Sequence, residues 1–186
     1  MPAPLRVSQE RLVHAIREIA ERDGIDAVTM SSVASAVGMR TPSLYKRAAQ
    51  RHDLLRLAAD DAVRELVTDI SELPAQDPAG ALTVLARTLR AYAARAPRVS
   101  ALIFAAPSAQ ASPTPASAEP LLTALMTAIA AAVPGDPLPA ARTFTAWIFG
   151  FCTMEQAGAF RLGGDVDEAF EFGLDALLGA IGVRRG

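Results

Sequence analysis

The sequence predicts an all-α fold of about nine helices, and three observations lead there. The hydrophobic fraction of 51% owes much to alanine, a residue that favours helix more than any other. Strand-like alternation of apolar and polar residues is absent, whereas apolar positions recur at helical spacing. The periodic stretches also start at Ser, Thr, Asp or Pro and several stop at Gly, the residues that cap and end helices.

Ser8 caps a first helix that runs to about Asp23 with Leu12, Ile16, Ile19 and Ala20 on one face, and Gly24 ends it. The segment "IDAVT" leads to a second cap, Thr29, and to a short helix over about 30–37 whose Val33, Ala34 and Val37 point inward. Gly38 closes that helix. Thr41 then caps a third helix of barely two turns, with Pro42 in the first turn, where a missing N–H costs nothing, and Leu44 as the apolar anchor. Two short helices joined by a glycine-containing turn make a helix-turn-helix. A fourth helix is expected from about Arg51 to Glu72, using Leu54, Leu55, Ala58, Ala62 and Leu66. "PAQDPAG" (74–80) interrupts, 79–95 reads as a fifth helix, and Pro97 opens a sixth, "PRVSALIFAA". The stretch "PSAQASPTPASAEP" (107–120) has the composition of an extended, mobile loop. Helices resume at 120–133, at about 138–162 and at about 166–182.

A chain of 186 residues can bury a real core without disulfide or metal staples. The expected division is a small three-helix domain, 1–50, followed by a larger helical domain, 51–186. Cys152 has no second cysteine to pair with and lies in an apolar run, which suits an inert thiol in a reducing compartment, so the cytoplasm is the expected location. The N-terminus "MPAPLRVSQERL" lacks the apolar core of a signal peptide. The longest apolar run, 121–133, falls short of the roughly 18–20 residues of a membrane span. A soluble protein without a membrane partner is expected. Net charge is −2, yet it is unevenly spread: residues 1–60 carry 9 Arg or Lys against 7 Asp or Glu, and 61–186 carry 9 against 13. The basic excess sits at the front, where it can serve an anionic partner.

The last two helices differ in kind from the first. "FTAWIFGFCTMEQAGAF" is apolar around most of its circumference and must be enclosed on more than one side. The final helix begins with Asp165, Asp167 and Glu168, which suit the positive end of a helix dipole. It then offers a bulky stripe, Phe170, Leu174, Leu177 and Ile181, and a small one, Ala169, Gly173, Ala176 and Ala180. Two such helices meeting their symmetry mates would form a four-helix interface, so a homodimer through the last two helices is expected; the alternative is that both stripes line one monomer's core.

The third helix carries the functional signal. Thr41, Pro42, Ser43, Tyr45 and Lys46 occupy it, with Arg40 just before it and Arg51 opening the next helix. An exposed helix N-terminus favours anions, and the second helix of a helix-turn-helix enters the DNA major groove. Arg40 and Lys46 suit guanine O6/N7 or phosphate. Thr29, Ser31, Tyr45 and Arg51 suit phosphates, and Ser32 completes the candidate DNA-binding set. Each has a plainer alternative: Thr29 and Thr41 as caps only, Tyr45 as a partly buried side chain, Arg51 as a solvated charge.

The stretch "IDAVTMSSVASAVGMRTPSLYKRAAQRHDLL" (25–55) resembles the DNA-binding region of TetR-type transcriptional regulators. The match lies in the capping Thr29, the small-residue helix Val33–Val37, Gly38, the Leu44–Tyr45 pair and the basic-acidic-leucine segment from Arg51 to Leu54. That family usually has an aromatic where Ala48 stands and a lysine at Arg51. The C-terminal half resembles the branch with a Trp-His-Gly signature through Trp147, Gly150, Glu155 and Gly158, with Phe149 in place of the histidine. The resemblance implies dimerisation through the last two helices and a pocket for a small, often apolar, inducer. Candidate pocket residues are Leu102, Phe104, Phe144, Trp147, Phe151, Met154 and Glu155. A carboxylate in such surroundings needs a partner such as Arg142 or Arg161, or a ligand group.

The combined expectation is a homodimeric repressor on a near-palindromic double-stranded DNA operator, released by a small, hydrophobic effector, with the two heads in grooves about 34–36 Å apart or somewhat more. The alternative is a helical interaction or ligand-binding protein that has lost DNA binding, a reading that Ala48 and the modest basic excess favour. No cofactor is expected and an enzyme is not. His14, His52 and Cys152 have no metal-ligand spacing, and neither a phosphate-cradling glycine loop nor a nucleophile elbow occurs.

Overall fold

The computed structural model describes residues 7–70 and 78–182. Among the described residues it contains nine α-helices and two single 3₁₀ turns. The helices are α1 (Gln9–Asp23), α2 (Met30–Ala36), α3 (Thr41–Leu44), α4 (Arg51–Ile70), α5 (Pro78–Arg95), α6 (Pro97–Phe104), α7 (Pro115–Ala132), α8 (Pro137–Gln156) and α9 (Val166–Ala180).

Local chemistry accounts for the clearest boundaries. The Ser8 hydroxyl accepts the Arg11 N–H at 3.1 Å to start α1, and Asp165 accepts the Asp167 and Glu168 N–H groups to start α9. α2 and α8 both end in the same way. The Gly38 N–H donates to Ser35 O and the Met39 N–H to Ala34 O, while Gly158 N–H donates to Glu155 O and Ala159 N–H to Met154 O. This paired arrangement needs a left-handed residue at its centre, and Gly38 (φ +69°) and Gly158 (φ +59°) supply it. The second of these ends α8 at Gln156, six residues before the expected limit of 162.

Two further expectations are corrected. The third helix is a single turn, with Thr41 as its first residue and Arg40 in the cap position, whose side chain makes no capping bond. It stops after Leu44 because the Arg47 and Ala48 N–H groups both close on Leu44 O, at 2.8 and 3.0 Å, and swing Ala48 inward. Nor is 107–120 an extended loop: Ala109–Ala111 form a 3₁₀ turn, Ala111 is buried, and α7 already begins at Pro115. The cause is Asp60 of α4, whose carboxylate accepts the Thr114 N–H (2.7 Å), the Thr114 hydroxyl (3.1 Å) and the Ser117 hydroxyl. The end expected for α4 at Glu72 and most of the break expected at 74–80 lie outside the described residues.

By packing alone the chain forms two compact units, 1–64 with 96–118, and 65–95 with 119–186. In the first, α1 packs on α2 and α6, and α2 on α3. Its interior includes Leu12, Ile16, Val28, Val33, Leu44, Leu54, Leu55, Val99 and Leu102. Glu21 of α1 accepts the Arg98 and Val99 N–H groups at 3.1 and 2.8 Å, capping α6, which has no side-chain cap of its own. Arg17 and Asp61 add an ion pair of 2.7 Å.

In the second unit α5 packs on α8 and α9, which also pack on each other. Its core is Leu82, Leu85, Ile129, Phe144, Ile148, Cys152, Phe170, Leu174 and Leu178, with Trp147 and Phe151 against it. Burial pushes the Cys152 thiol up to about 11, which keeps it protonated and unreactive at neutral pH. Among the described residues no single helix is long and apolar enough to cross a membrane.

Candidate nucleic-acid interface

The candidate reading element is built from the inside out. Leu44 is wholly buried and Ala48 nearly so, and these two anchors hold a chain most of whose other side chains are exposed. Arg40, Pro42, Ser43 and Lys46 are exposed, Tyr45 is 52% exposed, and Thr41 is half-buried. Ala48 thus seats its methyl inside although it is small. Neither Arg40 nor Lys46 has an ion pair among the described residues, so their charges stay available.

Four of the predicted DNA-binding residues carry the geometry that supports this element, or stand beside it. Thr29 Oγ1 accepts the Ser32 N–H (3.0 Å) while Ser32 Oγ accepts the Thr29 N–H (2.9 Å), a reciprocal cap on α2. The Ser32 hydroxyl also donates to Ala27 O at 2.7 Å, tying the cap to the turn before it. Ser31 is exposed on the first turn of α2. Arg51 turns its guanidinium back onto the α1–α2 connection, where it meets Val28 O, Ile25 O and Asp26.

Sequence reasoning missed two residues that hold this face together. Arg47 donates to Val7 O (2.8 Å) and to Gln9 Oε1 (3.0 Å), fixing the end of the reading element to the start of α1. Asp53 accepts the Ala49 and Gln50 N–H groups at 2.9 and 3.0 Å and pairs with Arg56 at 2.5 Å. Partial burial works against ionisation of Asp53, but the amides of Gln50 and Ala49 and the charges of Arg56 and His52 outweigh it and hold the carboxyl below its usual range. The sequence signal was an acid two residues into α4, a capping position that its neighbour Arg51 overshadowed.

The predicted pocket residues fall in both units. Leu102, buried, and Phe104, exposed, belong to the first; Phe144, Trp147, Phe151, Met154 and Glu155 belong to the second. The structure brings Trp147, Phe151, Phe160 and Phe170 into one aromatic cluster, with ring centroids 4.9–5.6 Å apart. Phe144 is fully buried and Met154 is exposed. Glu155 pairs with Arg90 of α5, at 2.9 and 2.5 Å, and not with Arg142 or Arg161, which are exposed. Arg90 also reaches Asp167 at 2.7 Å and lies 4.6 Å from the Phe170 ring centroid. Hydrogen bonding to Glu155 is the largest of the effects that hold this guanidinium charged. Arg90 was not legible as the partner because it is 65 residues from Glu155 in the chain.

A capped helix-turn-helix that presents one exposed basic turn, in a chain that also forms a second, all-helical unit, defines the class: an α-helical protein of the helix-turn-helix kind. Residues 82–177 match the profile of the tetracyclin repressor-like C-terminal domain, and the chain belongs to the tetracyclin repressor-like (TetR) family, a family of regulators and not of enzymes. Among curated relatives, an uncharacterized HTH-type transcriptional regulator of Mycobacterium tuberculosis, Rv0681, is 28% identical over 91 residues, 48% of this chain and 42% of that protein. This chain thus spans less than half the length of that relative. Among solved structures, BioQ of Mycobacterium smegmatis is 26% identical with a TM-score of 0.72, over 94% of this chain and 98% of that one. The Q116A variant of TetR from Acinetobacter baumannii AYE, in complex with minocycline, shares the fold at 24% identity and a TM-score of 0.73, over 94% and 96%.

Proposed function

We propose that the chain is a homodimeric transcriptional repressor that reads a near-palindromic operator through residues 1–50 and is released by a small, hydrophobic ligand held by residues 51–186. The observation that carries this reading is the outward display of Arg40, Pro42, Ser43, Tyr45 and Lys46, with Thr41 half-buried among them, around the buried Leu44. Such an element suits a major groove, with its early residues toward base edges and its hydroxyls and cations toward phosphates. Thr29, Ser31 and Ser32 lie at the start of the preceding helix, where a flanking phosphate would meet them.

Dimerisation through α8 and α9 is supported by how α9 uses its two stripes. Phe170 and Leu174 point inward and are buried, whereas Ala169, Ala176 and Ala180 are exposed beside Phe172, itself 78% exposed. Small residues around one protruding aromatic let a second helix approach closely. The relative crystallised with minocycline supports a small-molecule effector here as well, and the aromatic side chains of Phe144, Trp147 and Phe151 suit an apolar one. Trp147, Gly150, Glu155 and Gly158 further favour the Trp-His-Gly branch. Glu155 enters this reading through Arg90, whose charge it balances within the aromatic cluster. If ligand and operator prefer different arrangements of the dimer, each weakens the other by the same factor. The chain acts in the cytoplasm, in keeping with its single buried thiol.

Selection of bound fragments from its own genome returns the operator. Gel shifts on that operator with Lys46→Ala and Arg40→Ala should show weaker binding by about 1–3 kcal/mol each, while size-exclusion chromatography shows an unchanged dimer. Wild-type binding by both variants would remove the assignment of the reading helix.

A further inference from the structure

Arg51 opens α4 immediately after the reading element, and a cation there reads from the sequence as a phosphate ligand. The structure turns the group the other way. Nε donates to Val28 O at 2.8 Å, and Nη2 donates to Ile25 O at 2.6 Å and to Asp26 Oδ1 at 3.1 Å. All three acceptors lie on the short connection between α1 and α2, one to four residues before Thr29, the cap of α2. Val28 is itself fully buried, so this connection is anchored in the core on one side and held by the guanidinium on the other.

The consequence falls on α3. A helix of four residues has no stability of its own, because nucleating a turn costs more than its single hydrogen bond returns. Its direction is set by what precedes and follows it, α2 and α4. Arg51 crosses from the first residue of α4 to the residues that introduce α2, and so brackets the reading element between two fixed ends. Asp53 pins the Ala49–Gln50 link on the same side.

We infer that Arg51 is a positioning residue that sets the direction of the reading helix, and that the phosphate charge of this face is carried by Arg40 and Lys46 instead. This rests on the DNA-reading function proposed for the same face. The geometry also asks for arginine specifically. Two nitrogens of one planar group meet three acceptors, two of them backbone carbonyls, which the single ammonium of a lysine cannot do from one point. The side chain keeps 38% exposure, so charge alone would leave a phosphate contact open, and the substitution that keeps charge while losing the fork separates the two roles.

The experiment compares Arg51→Lys and Arg51→Gln with Lys46→Gln in the full chain. Operator affinity is read across a salt series, and hydrogen exchange of residues 24–32 is read without DNA. The expected result is that both Arg51 variants weaken operator binding alike, by about tenfold, keep the wild-type salt slope, and speed exchange at 25–29. Lys46→Gln should instead lower the salt slope by about one per head and leave exchange at 25–29 unchanged. Wild-type affinity in Arg51→Lys, with a reduced slope in Arg51→Gln, would overturn the inference. So would unchanged exchange at 25–29 in both. If the wild-type chain binds no operator at all, the functional proposal falls, and exchange alone still decides whether Arg51 holds the connection.

Discussion

Gly173→Ala is the sharpest probe of the second unit. A Cβ at that position would stand 2.5 Å from Trp147 Cζ2 and 3.3 Å from Cε2, well inside van der Waals contact. The indole cannot simply retreat, because its ring centroid lies 5.6 Å from that of Phe151 and 5.4 Å from that of Phe170. Two opposing quantities decide the outcome. Replacing glycine by alanine inside α9 gains about 0.8–1 kcal/mol of helix propensity. Overpacking costs about 1–3 kcal/mol, and disturbing the two aromatic contacts adds about 0.5–1.5 kcal/mol each at most. The net expectation is a loss of about 1–3 kcal/mol. Urea unfolding followed by far-ultraviolet circular dichroism, at one fixed protein concentration, measures it. Trp147→Phe removes the atoms that collide, so in that background the alanine should be tolerated, with a coupling of about 1 kcal/mol or more in the double-mutant cycle. A strictly additive cycle, or a Gly173→Ala chain as stable as wild type, would refute the packing argument.

Under the proposed dimerisation through α9, Phe172→Glu should leave the fold intact and move the chain toward monomer in analytical ultracentrifugation, since it sets a charge on the exposed face of α9 that an apolar partner would have to bury. Asp53→Asn tests the pH dependence of the reading face. Because the folded carboxyl titrates below its ordinary 3.8, its contribution is fully present above about pH 4 and is lost as the pH falls through the lowered value. The variant should therefore be less stable at pH 7 and show a flatter acid limb below about pH 4 in thermal unfolding. Glu155→Ala removes the two-nitrogen partner of Arg90 and leaves it paired with the exposed Asp167, and a loss of about 1–2 kcal/mol in chemical unfolding is expected, less than for a fully buried pair because water still reaches both groups.

Much of this molecule is legible without coordinates. The helix-turn-helix was readable because its signals act within four residues: Ser8 and Thr29 as caps, Gly24 and Gly38 as stops, and Leu44 as the one apolar side chain of a short basic turn. The bulky stripe of α9 was readable for the same reason, since a helix repeats its faces every 3.6 residues whatever surrounds it, but Gly173 of the small stripe lies against Trp147, and Leu178, in neither stripe, is buried. Even the end of α8 had its signal in place at Gly158, but the apolar run past it masked the stop.

What tertiary structure alone decided has a common cause. Long polar side chains choose partners by which helices pack side by side, and neither spacing nor composition records that. Asp60 starts α7 from 54 residues away. Arg90 reaches Glu155 across 65 residues, and Arg51 returns across 23 to the connection before α2. Most helix boundaries here are settled by neighbours along the chain; the starts of α6 and α7 and the occupation of each charge are settled by neighbours in space, and only the packed fold supplies those.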